Sequence, residues 1–197
     1  MRPLPGIAAA AAVAALAGCA SLDLPAANAL RSLDLLNDDI AELVLALDLP
    51  SSLVPVADET VLSFVATTPA AGERRVEAVL VTADSDAITG SLPPPGRDRA
   101  YYVFGISQAD QQALREAQRW GRELEPGFVA AGGTISVSVR PALCSRADFG
   151  PALTTVSVLV ALPGGDRLQP LISNVALSDL LARAGAPPVP SCDPDAG

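Results

Sequence analysis

Histidine is missing from the 197 residues, and so is lysine: the positive side chains are 13 arginines and nothing else. Each absence removes chemistry. Without imidazole there is no general base poised near neutral pH and no nitrogen ligand for zinc, copper or haem. Without lysine there is no Schiff base and no ammonium to grip phosphates in a P-loop. Any catalysis would fall to carboxylates, serine, tyrosine, arginine or a bound divalent cation. Basic surface is scarce as well. The formal net charge is -9, and the arginines are scattered, with local pairs only at Arg74-Arg75 and Arg97-Arg99. A protein that binds nucleic acid needs a concentrated positive face to displace counterions, so no nucleic-acid partner is expected.

Half of the residues are apolar, enough to bury a core in a chain of one-domain length. The apolar residues are unevenly placed. Arg2 precedes an alanine-rich run, Ile7 to Leu16, that is shorter than the roughly 20 residues a membrane helix needs. The run ends in Leu16-Ala17-Gly18-Cys19. A basic residue, an apolar run and small residues at a cleavage point, in that order, mark an export leader.

This arrangement resembles the lipobox of bacterial lipoproteins. The resemblance implies a signal peptide over 1–18, removal of that leader, and lipid on Cys19 of the mature chain, including palmitate-type acyl groups. Each buried methylene contributes about 0.8 kcal/mol and stable anchoring takes more than one chain, a requirement that triacylation meets. Ala20 after the cysteine implies, by analogy with enteric sorting, the outer membrane facing the periplasm. Residues 19–28 form a lipidated tether of at most roughly 30 Å, and 29–197 a single periplasmic domain held near the membrane.

Lipidation of Cys19 leaves Cys144 and Cys192. In an oxidising compartment two cysteines in one small domain are expected to pair, clipping the tail of Pro187, Pro188 and Pro190 back onto a strand. Two buried thiols or a redox pair are the alternatives, the latter disfavoured by the wide spacing.

Along the body, Leu30, Leu33, Leu36, Ile40, Leu43 and Leu47 fall at helical spacing while Leu43, Leu45, Leu47 and Leu49 alternate as a strand; a turn or short helix up to Asp39 and then a strand ending before Pro50 is the preferred reading. Val61 to Thr67 and Arg74 to Ala83 read as a hairpin. The loop 84–99 carries Pro93-Pro94-Pro95-Gly96, and Tyr101 to Ile106 is a short strand. Ser107-Gln108-Ala109-Asp110 has the form of a capping box opening a helix that Pro126-Gly127 stops. Ala113, Leu114, Ala117, Trp120 and Leu124 make its apolar face, leaving Arg115, Arg119, Arg122, Glu116 and Glu123 solvated. Thr134 to Arg140 alternates as a half-buried strand. Thr154 to Leu162 is apolar on nearly every position and is expected to be central. Leu168 to Ile172 follows as a weaker strand, and Ser178 to Ala184 as a last helical turn closed by Gly185. The fold class is α+β: a mainly antiparallel β-sheet or small sandwich with one central amphipathic helix.

Candidate sites are few. Asp84-Ser85-Asp86 and Asn37-Asp38-Asp39 offer oxygens but lack the spacing of a calcium loop, so turns and caps are the default. Arg97 and Arg99 beside Tyr101 and Tyr102 suggest an anion or sugar platform; the plainer reading has alternate tyrosines facing the core and the arginines solubilising a loop. Trp120 reads as core. Ser107 lacks both the second glycine of a nucleophile elbow and a histidine to activate it. No catalytic residue, metal ligand or cofactor is expected. The sequence thus points to a non-enzymatic envelope lipoprotein, an accessory or adaptor with a membrane anchor and an envelope protein partner. The alternative is a module for a small molecule or lipid, which requires an apolar cavity of several hundred Å³ lined by strand residues. A carboxylate or divalent-ion hydrolase has the least support, since no carboxylate pair stands out.

Overall fold

The computed structural model describes residues 33–56, 58–83, 88, 90, 92–124, 132–148, 150, 154–184 and 186–192. The leader, the tether and Cys19 lie outside the described residues, as do Asp84-Ser85-Asp86, Pro126-Gly127 and Gly185. A 3-10 turn at Ile40–Glu42 leads into β1 (Val44–Pro50), β2 (Leu53–Pro55), β3 (Val61–Thr68), β4 (Gly72–Thr82) and β5 (Arg99–Ile106). Helix α1 (Gln108–Glu123) follows, then β6 (Thr134–Arg140), β7 (Leu143–Ser145), β8 (Thr155–Ala161), β9 (Gln169–Ala176) and α2 (Leu177–Ala184). Seven strands form one antiparallel sheet in the order β6-β3-β4-β5-β1-β8-β9, curled into a half-barrel. β2 and β7 pair separately. The class is α+β, with one main helix and one short one; of sheet and sandwich, the sheet is what forms.

Alternation builds the strands. In β3, Leu62, Phe64, Ala66 and Thr68 are buried while Val61, Ser63, Val65 and Thr67 are half-exposed, the period of two that a pleated ribbon requires. The β3–β4 hairpin closes between Thr68 and Gly72. Thr68 Oγ1 accepts from the Ala71 amide at 2.8 Å, and Gly72 takes φ 82°, a left-handed conformation that costs glycine little. β8 is internal but not central: β1 and β9 flank it, so its largely apolar character reflects burial on both faces one strand in from the edge.

β4 and β5 pair only over Leu80–Thr82. The start of α1 closes the gap beside them. Ser107 caps the helix, its Oγ accepting from the Asp110 amide at 3.2 Å. The Asp110 carboxylate accepts from Ser107 Oγ at 2.7 Å and from the Val79 amide of β4 at 2.9 Å. The capping pair therefore satisfies a sheet amide as well as a helix end.

The buried face of α1 is Leu114, Ala117, Gln118 and Gly121, rotated from the expected stripe; Ala113, Trp120 and Leu124 are only half-buried. The cause is the segment before β1, which docks on this face. Gln118 Nε2 donates to the carbonyls of Leu35 (2.9 Å) and Asp38 (2.6 Å). Gly121 leaves room for Leu36, whose Cδ2 would lie 2.5 Å from a Cβ added there. Two arginines expected in solvent join in: Arg122 donates to the Leu36 carbonyl, and Arg115 pairs with Asp39 at 2.8 Å. Among the described residues, no helix is long and apolar enough to cross a membrane.

Candidate functional site: an apolar cavity in the half-barrel

Curling the sheet places the larger side chains of seven strands around one interior. α1 packs on β3, β4 and the 3-10 turn, and α2 on β9; neither fills the whole of the concave side. What remains is a cavity of about 380 Å³ that is partly open to solvent. That volume lies at the small end of the roughly 300–1,000 Å³ typical of small-molecule sites.

Its floor comes from the buried side chains Leu43, Leu45 and Leu47 around β1, Leu62 of β3, Leu80 of β4 and Phe104 of β5, with Val160 of β8 beside them. These residues alternate along their strands, which is why one face of each strand reaches the same space. The rim is supplied by both edges of the sheet. Val137, Ser138, Val139 and Pro141 line it from the β6 side, Leu171 and Ile172 from β9, and Leu33 and Leu35 from the chain entering the domain. Ser138, Val139 and Pro141 are exposed, whereas Leu171 and Ile172 are half-buried. The mouth therefore lies along β6, where Val139 is 37% exposed, a large apolar side chain in water.

Among the described residues, no charged side chain lines the cavity. Among the described lining residues, the one buried hydroxyl belongs to Thr60, whose Oγ1 already accepts from the Ala142 amide at 3.3 Å. A charge placed here would lose hydration with nothing to replace it, whereas hydrocarbon loses nothing. The chamber suits an apolar guest without internal polar groups.

Most of the described residues singled out from the sequence serve structure. Arg99 reaches back from β5 onto β1 and β8: Nε donates to Asp48 Oδ1 at 2.7 Å, Nη2 to the Asp48 carbonyl at 2.8 Å and Nη1 to the Thr155 carbonyl at 3.1 Å. It is a three-strand tie, which corrects the reading of a loop solubiliser and withdraws the Arg99 guanidinium from a ligand platform. Arg97 is exposed. Tyr102 packs against the core, and Tyr101, opposite Asp48 in register, has its phenol held above the usual range, first by burial and then by the Asp48 charge, with Arg99 opposing. Ser107 is the helix cap described above. Asp38 Oδ2 accepts from the Asp34 amide at 2.7 Å and Asp39 pairs with Arg115, so this run holds a turn. Among the described residues, no cluster of three or more His, Cys, Asp or Glu is arranged to hold a metal ion.

Cys144 and Cys192 lie at bonding distance, with Cα atoms 4.8 Å apart. The tail runs beside β7: the Ser145 amide donates to the Pro190 carbonyl and the Cys192 amide to the Ser145 carbonyl, each at 2.8 Å. The clip ties the end of the domain to the small sheet, away from the cavity lining.

The cavity itself was not assigned to residues by sequence reasoning. The signal that bears on it is the leucine alternation Leu43, Leu45, Leu47, Leu49, which marks an inward face without saying whether that face meets side chains or space. No family model, curated protein or solved structure matches the chain.

Proposed function

We propose that this chain is a non-enzymatic lipoprotein of the cell envelope, anchored through Cys19, whose domain holds the hydrocarbon part of a lipid or similar apolar molecule. The observation that carries the reading is the 380 Å³ interior, partly open to solvent and lined almost wholly by aliphatic side chains. The size suits a single acyl chain and excludes a whole two-chain lipid. About ten buried methylenes contribute roughly 8 kcal/mol, which caps the affinity near 1 μM before ordering costs are subtracted. A polar headgroup would stay at the mouth in water. The lipobox-like leader supports the same setting, since a tethered domain works beside a bilayer that supplies such chains.

The test is displacement of N-phenyl-1-naphthylamine by dodecanoic acid, followed by fluorescence on the protein and on a Val158→Phe variant. Val158 lines the cavity, and a larger ring there occupies space that a guest would need. Saturable binding that weakens at least tenfold in the variant supports the proposal; no binding, or equal binding by both proteins, overturns it. The adaptor role is a second reading, favoured by the edge of β6, on which no strand pairs among the described residues. Pulldowns from solubilised envelopes that repeatedly return no specific partner count against it.

A further inference from the structure

The two edges of the sheet are treated differently. β9 is blunted: it contains Pro170, its register with β8 shifts twice between Val156 and Leu159, and Asn174 takes φ 52°. Proline, irregular register and left-handed residues are the devices by which edge strands avoid further pairing. β6 has none of them. It pairs with β3 without interruption from Thr67↔Thr134 to Val61↔Arg140, and no strand pairs with its other side among the described residues. Thr134, Ser136, Ser138, Val139 and Arg140 are exposed, so the edge lies open to another chain.

The composition of β6 says which chain fits. Thr-Ile-Ser-Val-Ser-Val-Arg has the same alternation in both directions about Val137. Laid antiparallel on itself, Ile135 meets Val139, Val137 meets Val137, Ser136 meets Ser138, and Thr134 meets Arg140. Directly opposed residues share a face in an antiparallel pair, so apolar meets apolar and hydroxyl meets hydroxyl. The chain carries a net charge of -9, yet β6 brings only Arg140 to the contact and sets it against a threonine. We infer that β6 pairs with β6 of a second copy about a twofold axis through Val137, joining two half-barrels into one continuous sheet. Ile135 of the second copy would then cover Val139 at the cavity mouth. One strand edge buries less than the roughly 1,200–2,000 Å² of a stable interface, so the dimer is weak in dilute detergent and is best trapped in place.

The experiment uses the full-length protein in membranes of expressing cells, oxidised with copper phenanthroline and run on non-reducing gels. Directly opposed Cβ atoms lie about 4.5–5.5 Å apart, close to disulfide range. Val137→Cys is therefore expected to give an adduct of twice the monomer mass that reductant reverses. In Ile135→Cys the two thiols are offset by four residues, roughly 13 Å, and no adduct is expected. Because Val137 lines the cavity, Thr134→Cys combined with Arg140→Cys, two exposed residues that do not line it, provides a second trap independent of the cavity. Absence of an adduct in both traps, an adduct of another mass, or equal crosslinking by Ile135→Cys overturns the inference.

Discussion

Replacing Arg99 with methionine keeps most of the side-chain stem and removes the guanidinium, which is the sharpest test of how the sheet is held together. The side chains of Arg99 and Asp48 are 20% and 17% exposed, and the pair sits where β5, β1 and β8 meet. Loss of the cation strands a largely buried carboxylate and two carbonyls. Breaking a buried pair costs about 3–5 kcal/mol, and the residual exposure places this one near the lower value, about 3 kcal/mol. Adding Asp48→Leu to Arg99→Met removes the stranded charge and is expected to recover most of the loss, because an apolar pair of similar size is often as stable as a buried ion pair. Urea unfolding measures both, with m-values expected to stay constant. A single variant within about 0.5 kcal/mol of wild type, the ordinary range for a surface change, would refute the reasoning. So would a double variant less stable than the single one. Tyr101 supplies an independent readout. In a Tyr102→Phe background its phenol is expected to titrate higher still after Arg99→Met and lower after Asp48→Asn. The sign for stability follows: a raised phenol pKa leaves stability intact below about pH 10 and erodes it as pH climbs through the folded-state value, because the unfolded chain releases the proton first.

Three further outcomes are expected. Gly121→Ala improves helix propensity by about 1 kcal/mol but drives a Cβ to 2.5 Å from Leu36 Cδ2 in the core; overpacking of about 1–3 kcal/mol prevails, so the urea midpoint falls. Replacing Cys144 and Cys192 with alanine opens a loop of sequence separation 48, and about 4 kcal/mol of stability is lost in the chain-entropy account, read as a lower Tm with unchanged ligand binding. Asp34 is held below the usual carboxylate range, first by the Asn37 side chain and then by the Leu36 amide. Its contribution is present at neutral pH and lost as pH falls below about 4, through the folded value, so Asp34→Asn flattens the acid end of the stability profile.

Local rules carried far, and failed where distant pieces meet. The ends of β6 match the Thr134-to-Arg140 alternation to the residue, and Ser107 caps α1 as its spacing with Asp110 implies. The hairpin of β3 and β4 differs from expectation by no more than two residues at an end. β2 and β7 were missed because three residues are too few to show a period. Gln118 was missed because a glutamine on the apolar side of a helix looks solvated until the carbonyls of Leu35 and Asp38 are placed beside it. Arg99 was misjudged for the same reason, since Asp48 and Thr155 lie more than 50 residues away on either side. The cavity is a still more collective property. Leucine alternation in β1 fixes which face turns inward, but whether that interior is filled depends on how the sheet curls and on how far α1 and α2 reach across it.

The most direct measurement is native mass spectrometry of the protein purified from expressing cells in mild detergent, followed by solvent extraction and identification of released molecules. The account predicts one acyl-chain compound per protein, retained by wild type and lost from Val158→Phe. A protein that emerges empty, or a bound molecule held equally by the plugged variant, would contradict it.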